Sequence, residues 1–320
     1  MSFSRAVFFL LLLLVSSSPV YAIDSILIVR PSGHHFEQIV SGISDELAGE
    51  LRYEDIVFDA KSTKSDLYAV IERYQPRAIV LMGNRQLKLF RGLQEDRPAI
   101  SLPPSIAVAA LFIDRVLAGS KNVTGILYEI PAVTSLVSLR SITAKNIKRV
   151  GVLYRHDMID MIEENRRYCE SEGIELVSVG ISDSDANSTR KTKQALRKLA
   201  DKSIDALWIS NDSRLLTRDL ITRSWMPFMT RFNKPVVVGV ETLTKTQLNM
   251  GSLAVFPDHT GLGAQTAGKI FDLMDNRWKI EGETFEQPLS VIKHVNVKIS
   301  QDRGIRFKES KLLQVDKVIR

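Results

Sequence analysis

The chain has 320 residues, 44% of them hydrophobic, a formal charge of +6 and a single cysteine. That length supplies two domains of ordinary size with real cores, and one cysteine excludes an intramolecular disulfide or a metal site built on thiolates. The mild basic excess is interleaved with acids and argues for solubility and against a nucleic-acid partner.

The first signal in chain order is N-terminal. Arg5 precedes an apolar run from Ala6 to Val15, followed by three serines, Pro19 and Val20-Tyr21-Ala22. The run is half the roughly 20 residues a membrane-spanning helix needs, so residues 1–22 read as a secretory signal peptide with the cut after Ala22. No cysteine follows, so a soluble periplasmic protein without a lipid anchor is expected; loss of Arg5 takes the charge from +6 to +5.

From Ser25 onward short β-branched runs alternate with amphipathic stretches, the pattern of βαβ units around parallel sheets. Strands are predicted at Ser25 to Val29, Ile56 to Asp59, Ala78 to Met82 and, more weakly, Ala99 to Leu102; His35 to Leu47 and Ser65 to Tyr74 have helical spacing. After Lys121 to Gly125, read as a crossover, a second series begins. It has a helix from Ala132 to Ala144, a strand from Arg149 to Tyr154, and a helix from Met158 to Glu172 stopped by Gly173. Further strands are predicted at Ile174 to Val179, Ala206 to Ser210 and Pro235 to Val240, with helices at Thr189 to Asp201 and Thr217 to Phe232, the latter kinked or split by Pro227. A run from Ser252 to Phe256 then leads to a helix from Thr260 to Met274.

These arrays predict an α/β chain of two doubly wound parallel-sheet lobes joined by a three-crossing hinge, with further crossings near Pro257 and between Glu281 and Ser290. The expected division is residues 23–123 plus 258–288 for the N-lobe and 124–257 plus 289–320 for the C-lobe.

Sequence signatures of catalysis are missing. There is no P-loop spacing, Gly261-Leu262-Gly263 lacks a third glycine and a preceding fingerprint strand, and no nucleophile elbow occurs. His34 and His35 are adjacent, so their side chains diverge and a metal pair is not expected. Cys169 lies in an amphipathic helical pattern with no neighbouring histidine, which makes it packing rather than a nucleophile. No cofactor and no enzymatic activity are expected.

Four passages carry a family resemblance. They are Asn122 to Gly125 followed by Lys148 to Tyr154; Ile204 to Ser213, a strand ending in a polar turn; Gly251 to Ala254 leading to Gly261 through Lys269; and a tail of Val297 to Ser300, Gly304-Ile305 and Leu312 to Ile319. Together they resemble ABC transporter substrate-binding proteins of the tryptophan/tyrosine-type family, within the type I periplasmic-binding-protein fold. The resemblance implies a closing strand at Val297 to Ser300 and a terminal helix at Leu312 to Ile319. It also implies a solute bound between the lobes by loops at the carboxyl ends of both sheets, with an ABC permease of the inner membrane as partner.

Those loops nominate Ser32, His35, Gly83, Asn84 and Ser105 from the N-lobe. From the C-lobe they nominate Tyr154, Arg155, Asn211, Asp212, Ser213, Glu241 and Thr242, with Phe256 and Asp258 at a crossing. Asp212, Glu241 and Asp258 suit an ammonium group, Arg155 a carboxylate, and Tyr154 or Phe256 an apolar body; Asp212 and Asp258 equally suit helix N-caps. An amino acid or related solute is the candidate ligand class, although Gly83-Asn84-Arg85 and Leu102-Pro103-Pro104-Ser105 depart from the small polar residues of the family. A periplasmic sensor that presents its closed form to a membrane signalling protein is the alternative role.

Overall fold

The structure is a computed structural model that describes residues 24–282 and 285–320; the expected signal peptide lies outside the described residues. The first series runs β1 (Ser25–Arg30), α1 (His34–Leu47), β2 (Arg52–Val57), α2 (Lys64–Tyr74), β3 (Ala78–Met82), α3 (Asn84–Asp96), β4 (Ser105–Val108), α4 (Ile113–Val116) and β5 (Val123–Ile126). The second runs α5 (Ala132–Ile142), β6 (Arg149–Arg155), α6 (Ile159–Ser171), β7 (Glu175–Ile181), α7 (Thr189–Ala200), β8 (Ala206–Ile209), α8 (Arg218–Leu220), α9 (Met226–Met229), β9 (Val236–Val238) and β10 (Leu253–Pro257). The chain ends with α10 (His259–Asp275), β11 (Phe285–Glu286), β12 (Val291–Asn296), α11 (Val297–Asp302), α12 (Glu309–Leu312) and β13 (Lys317–Ile319).

Two sheets form. One has the order β11-β5-β4-β3-β1-β2 and the other β13-β12-β10-β9-β8-β6-β7. Read from the second strand of each series, both place the first strand between the second and third, the flavodoxin-like order whose ligand crevice opens at the carboxyl ends of the strands. Every pairing is parallel except β10 with β12. Central strands are buried on both faces: Ile26 and Ile28 of β1 pack into one core and Leu27 and Val29 into the opposite one, which is why they read as unbroken apolar runs. The second sheet is likewise sandwiched between two cores.

The chain leaves the first sheet after β5, returns to it after β10 with α10 packing on α1, and leaves it again after β11. The expected crossover at Lys121 to Gly125 is therefore corrected: Val123–Ile126 is a strand of the first sheet, and the passage lies at residues 127–131. Gly125 permits that strand, because a Cβ there would lie 2.4 Å from the Ala107 carbonyl oxygen.

Other elements depart from expectation for local reasons. The strand placed at Ala99 to Leu102 is instead β4, which begins only beyond Pro103 and Pro104, where N–H donors resume and the Ser105 N–H reaches the Asn122 carbonyl. The second strand starts at Arg52, four residues early, because it is a half-exposed edge rich in polar residues. Residues 297–300 form a helix, not a strand, since the Asn296 carboxamide oxygen accepts the Ile299 N–H at 2.8 Å and starts a turn. The end of the chain is the strand β13 beside β12, not a helix. Between Thr217 and Thr230 the α-helix is interrupted by a π-helical stretch over residues 221–225, and Pro227 is the second residue of α9 that follows it.

Cys169 is buried, and burial pushes its thiol up to about 11. Among the described residues no helix is long and apolar enough to cross a membrane, and no group of three or more His, Cys, Asp or Glu is placed to hold a metal ion.

Candidate functional site

A cavity of about 660 Å³ lies between the two sheets, against the first and third crossings. From the first sheet come Phe112, Asp114 and Arg115, just beyond β4; the crossings contribute Leu127, Glu129 and Pro131 on one side and Gln287 on the other. From the second sheet come Trp208 within β8, and Ser210, Asn211 and Gly239 at the carboxyl ends of β8 and β9. One face of α6, including Asp160, Glu164, Asn165 and Tyr168, completes the wall.

The loop after β4 is held firmly. The Asn84 amide donates to the Leu111 carbonyl at 2.6 Å and accepts the Leu111 N–H at 2.9 Å. One residue on, the Phe112 N–H donates to Glu129 Oε1 at 2.8 Å, across to the first crossing. Ala109 and Phe112 hold left-handed backbone, with φ of 53° and 54°, a strain that persists where neighbours over-determine the geometry. Burial, with a smaller contribution from Asp114, raises the Glu129 carboxyl to about 7.

On the opposite wall Asn165 is fully used: its Oδ1 accepts the Ala132 N–H at 2.7 Å, starting α5, and its Nδ2 donates to the Met161 carbonyl. Asn211 is not. Its Nδ2 donates to the Gly239 carbonyl at 3.3 Å, but Oδ1 is buried with no hydrogen-bond partner among the described residues. Buried acceptors of this kind are uncommon. Arg115 joins the lobes, donating through Nη1 to the Asp157 carbonyl at 2.6 Å on the far side of the cleft.

Of the residues nominated from sequence, Asn211 lines this cavity. Arg155 and Asp212 face each other instead: Arg155 Nε donates to Asp212 Oδ2 at 2.6 Å, and Nη1 to Asp183 at 2.5 Å and to Asp157 at 3.3 Å. In this arrangement each side chain has its charge met by the other. Ser105 opens β4 at its amino end and is fully buried. Asp258 is an N-cap, its Oδ1 accepting the Thr260 N–H and its Oδ2 the Ser290 hydroxyl. Glu241 is exposed beside His294 and Lys317, each 3.3 Å away, with Thr242 next to it.

The remaining nominees lie around the cleft rather than in the cavity. Ser32 and Ser213 are exposed in loops, Gly83 starts α3 with φ 85°, and Asn84 is the loop clamp already described. Tyr154 is half-buried against the His156 ring. Phe256 is buried, edge-on to His294. His35 stands 5.5 Å, centroid to centroid, from His259, whose Nε2 is 2.8 Å from the Tyr128 hydroxyl. Burial, reinforced by His35, lowers His259 to about 4.

Sequence reasoning missed Glu129, Phe112 and Trp208. Trp208 sits inside a strand and reads as core, while Phe112 and Glu129 lie on stretches where the strand and the crossover were misplaced.

No protein-family model matches the chain, and no curated protein matches it. Solved structures do. A tryptophan-bound ABC domain from Streptococcus pneumonia is 19% identical, covers 93% of this chain and 100% of its own, and has a TM-score of 0.59. The ligand-free, open form of a substrate-binding protein with adhesive properties from Clostridium difficile is 15% identical, with 93% and 99% covered and a TM-score of 0.66. A periplasmic ribose ABC transporter protein from Conexibacter woesei is 14% identical, with 88% and 93% covered and a TM-score of 0.53. The shared architecture is that of type I periplasmic binding proteins, and this chain has that fold.

Proposed function

We propose that the protein is exported and serves as the solute-binding component of an ABC-type uptake system, closing its lobes over a small molecule in the interlobe cleft. One observation carries this reading: a cavity of about 660 Å³ whose wall is shared by both lobes and two crossings, so that rotation about the crossings opens and seals it. That volume falls in the range of small-molecule sites. In this reading residues 24–126 and 258–286 move as one body against residues 132–257 and 291–320. The mature chain starts at Ile23 in the periplasm, and an inner-membrane permease receives the closed form. The likeness to substrate-binding proteins, tryptophan-bound in one case, supports the same role.

The test is to purify the protein from periplasm, identify any retained solute by mass spectrometry of the denatured chain, and add that solute back to stripped protein. Expected are compaction in small-angle scattering and, at a hundredfold excess over the dissociation constant, stabilisation by about 2.7 kcal/mol. A solute that is chemically changed on the protein, or one that binds without compaction, overturns the reading.

A further inference from the structure

We propose that the outer face of the second lobe, where α7 packs beside the π-helical stretch and α9, docks on a membrane surface rich in anionic phospholipid. The basic excess, mild over the chain as a whole, is concentrated there. Residues 189–234 hold eleven Lys and Arg against four Asp and no Glu, a net +7, whereas the whole chain carries +6. The rest of the chain is therefore slightly acidic.

The fold does not neutralise this charge. Arg190, Lys193, Arg197 and Lys198 on α7, with Arg218 and Arg231 on the adjoining segment, are all exposed. None of these six side chains has an ion pair or hydrogen bond among the described residues. The arrangement weakens α7 as a helix. Its first turn holds Arg190 and Lys191 and no acid, which opposes the helix dipole, and Lys193 and Arg197 are like charges one turn apart. A counter-charge from outside the chain relieves both.

A groove of about 360 Å³ runs between these elements. Lys193, Arg197 and Arg231 stand on its wall with a single carboxylate, Asp201, and Phe228 and Phe232 supply an aromatic floor. The two rings stack with centroids 5.1 Å apart; Phe232 is buried and Phe228 half-buried. Cations around an apolar strip suit the headgroup layer of a bilayer, where phosphates meet the cations and acyl carbons meet the rings. A nucleic acid would answer the charge alone, because Phe228 already stacks on Phe232 and little ring is left for a base. The placement also fits. α7 and α9 pack on one face of the second sheet, and α6, which borders the interlobe cavity, packs on the other. A bilayer under this face lies on the side of the sheet away from the cavity.

The test is cosedimentation with vesicles of phosphatidylcholine alone or mixed with phosphatidylglycerol, at low and high salt. The wild type is compared with the triple variant Lys193→Glu, Arg197→Glu, Arg231→Glu. A control triple, Arg52→Glu, Lys61→Glu, Lys88→Glu, makes the same charge change at exposed positions of the first lobe, and melting temperatures report whether both variants fold. Expected is binding to the anionic vesicles only, weakened at least tenfold by high salt and by the first triple, and by less than about threefold in the control. On the wild type, anionic vesicles should protect Lys193 and Lys198 from amine acetylation while Lys61 and Lys88 stay reactive, a readout that needs no variant. Equal binding to both vesicles, equal loss in the two triples, or unprotected Lys193 overturns the proposal. So does binding of a DNA duplex or an acidic peptide as tight as that of the vesicles. Solute-induced compaction is measured without vesicles, so either result leaves the solute-binding reading to its own test.

Discussion

Arg155 Nε donates to Asp212 Oδ2 at 2.6 Å, and the two side chains are 9% and 3% exposed. The contact ties the end of β6 to the turn after β8, while Asp212 Oδ1 also accepts the Arg214 N–H at 2.9 Å. Removing one member of a buried pair leaves the other charge uncompensated, which costs about 3–5 kcal/mol. Asp183 remains on Arg155 in this case, so Asp212→Asn should cost about 3 kcal/mol, the low end of that range. Chemical denaturation measures it. Solute affinity should stay near wild type; a large affinity loss with unchanged stability would instead return Asp212 to the ligand.

The α1–α10 seam predicts a second outcome. A Cβ on Gly263 would lie 2.3 Å from the Ile39 carbonyl oxygen and 2.8 Å from the Gly42 Cα, both rigid backbone. Gly263→Ala should force the helices apart at about 1–3 kcal/mol, as overpacking does. Gly268 on the same helix has open space at its Cβ position, so Gly268→Ala should stabilise by about 0.4–1 kcal/mol. Equal effects at the two sites would remove the close crossing as the cause.

Stability should also depend on Glu129 with a definite sign. Its carboxyl is raised from 4.5 to about 7, chiefly by burial, so between those values the folded state holds more protons than the unfolded chain. The contribution is fully present below pH 4.5 and is lost as pH rises through 7. Wild-type stability should therefore fall relative to Glu129→Gln over that interval, when unfolding free energy is followed with pH. Parallel pH profiles would place Glu129 in water.

Arg115 reaches across the cleft to the Asp157 carbonyl and comes within 3.7 Å of the Met158 sulfur. Shortening it in Arg115→Gln removes a hydrogen bond from a charged donor. Because the side chain is only half-buried, the cost should be about 1 kcal/mol, below the usual range for such bonds. That is roughly a fivefold shift toward the open form. Small-angle scattering of the ligand-free variant should show a larger radius of gyration; an unchanged radius with unchanged affinity would show that this contact does not hold the lobes.

Much of the fold is legible in the sequence because burial on both faces leaves a strand no polar positions. Ala78–Met82 is buried throughout and its limits coincide with the apolar run. Edge and interrupted elements are not legible in this way. β2 pairs on one side only, with a polar sequence, and β5 was concealed by Gly125, a residue that propensity assigns to turns but that close contact with Ala107 requires.

The candidate site was legible only as a region. A position at the carboxyl end of a strand follows from the βα order, and so the sequence by itself determined that Asn211, Asp212 and Arg155 stand at the crevice side of the second sheet. It also determined that no disulfide joins the lobes, because Cys169 has no second cysteine to pair with. Only the tertiary structure decided which of those side chains meets the cavity and which meets another side chain. Arg155 and Asp212 are 57 residues apart in the chain, and their pairing depends on the spacing of β6 and β8 and on the direction each side chain takes from its strand end. Charge in a nearly dry environment is stable only when it is paired, so the two satisfy each other, while Asn211 and Glu129 belong to the cavity wall.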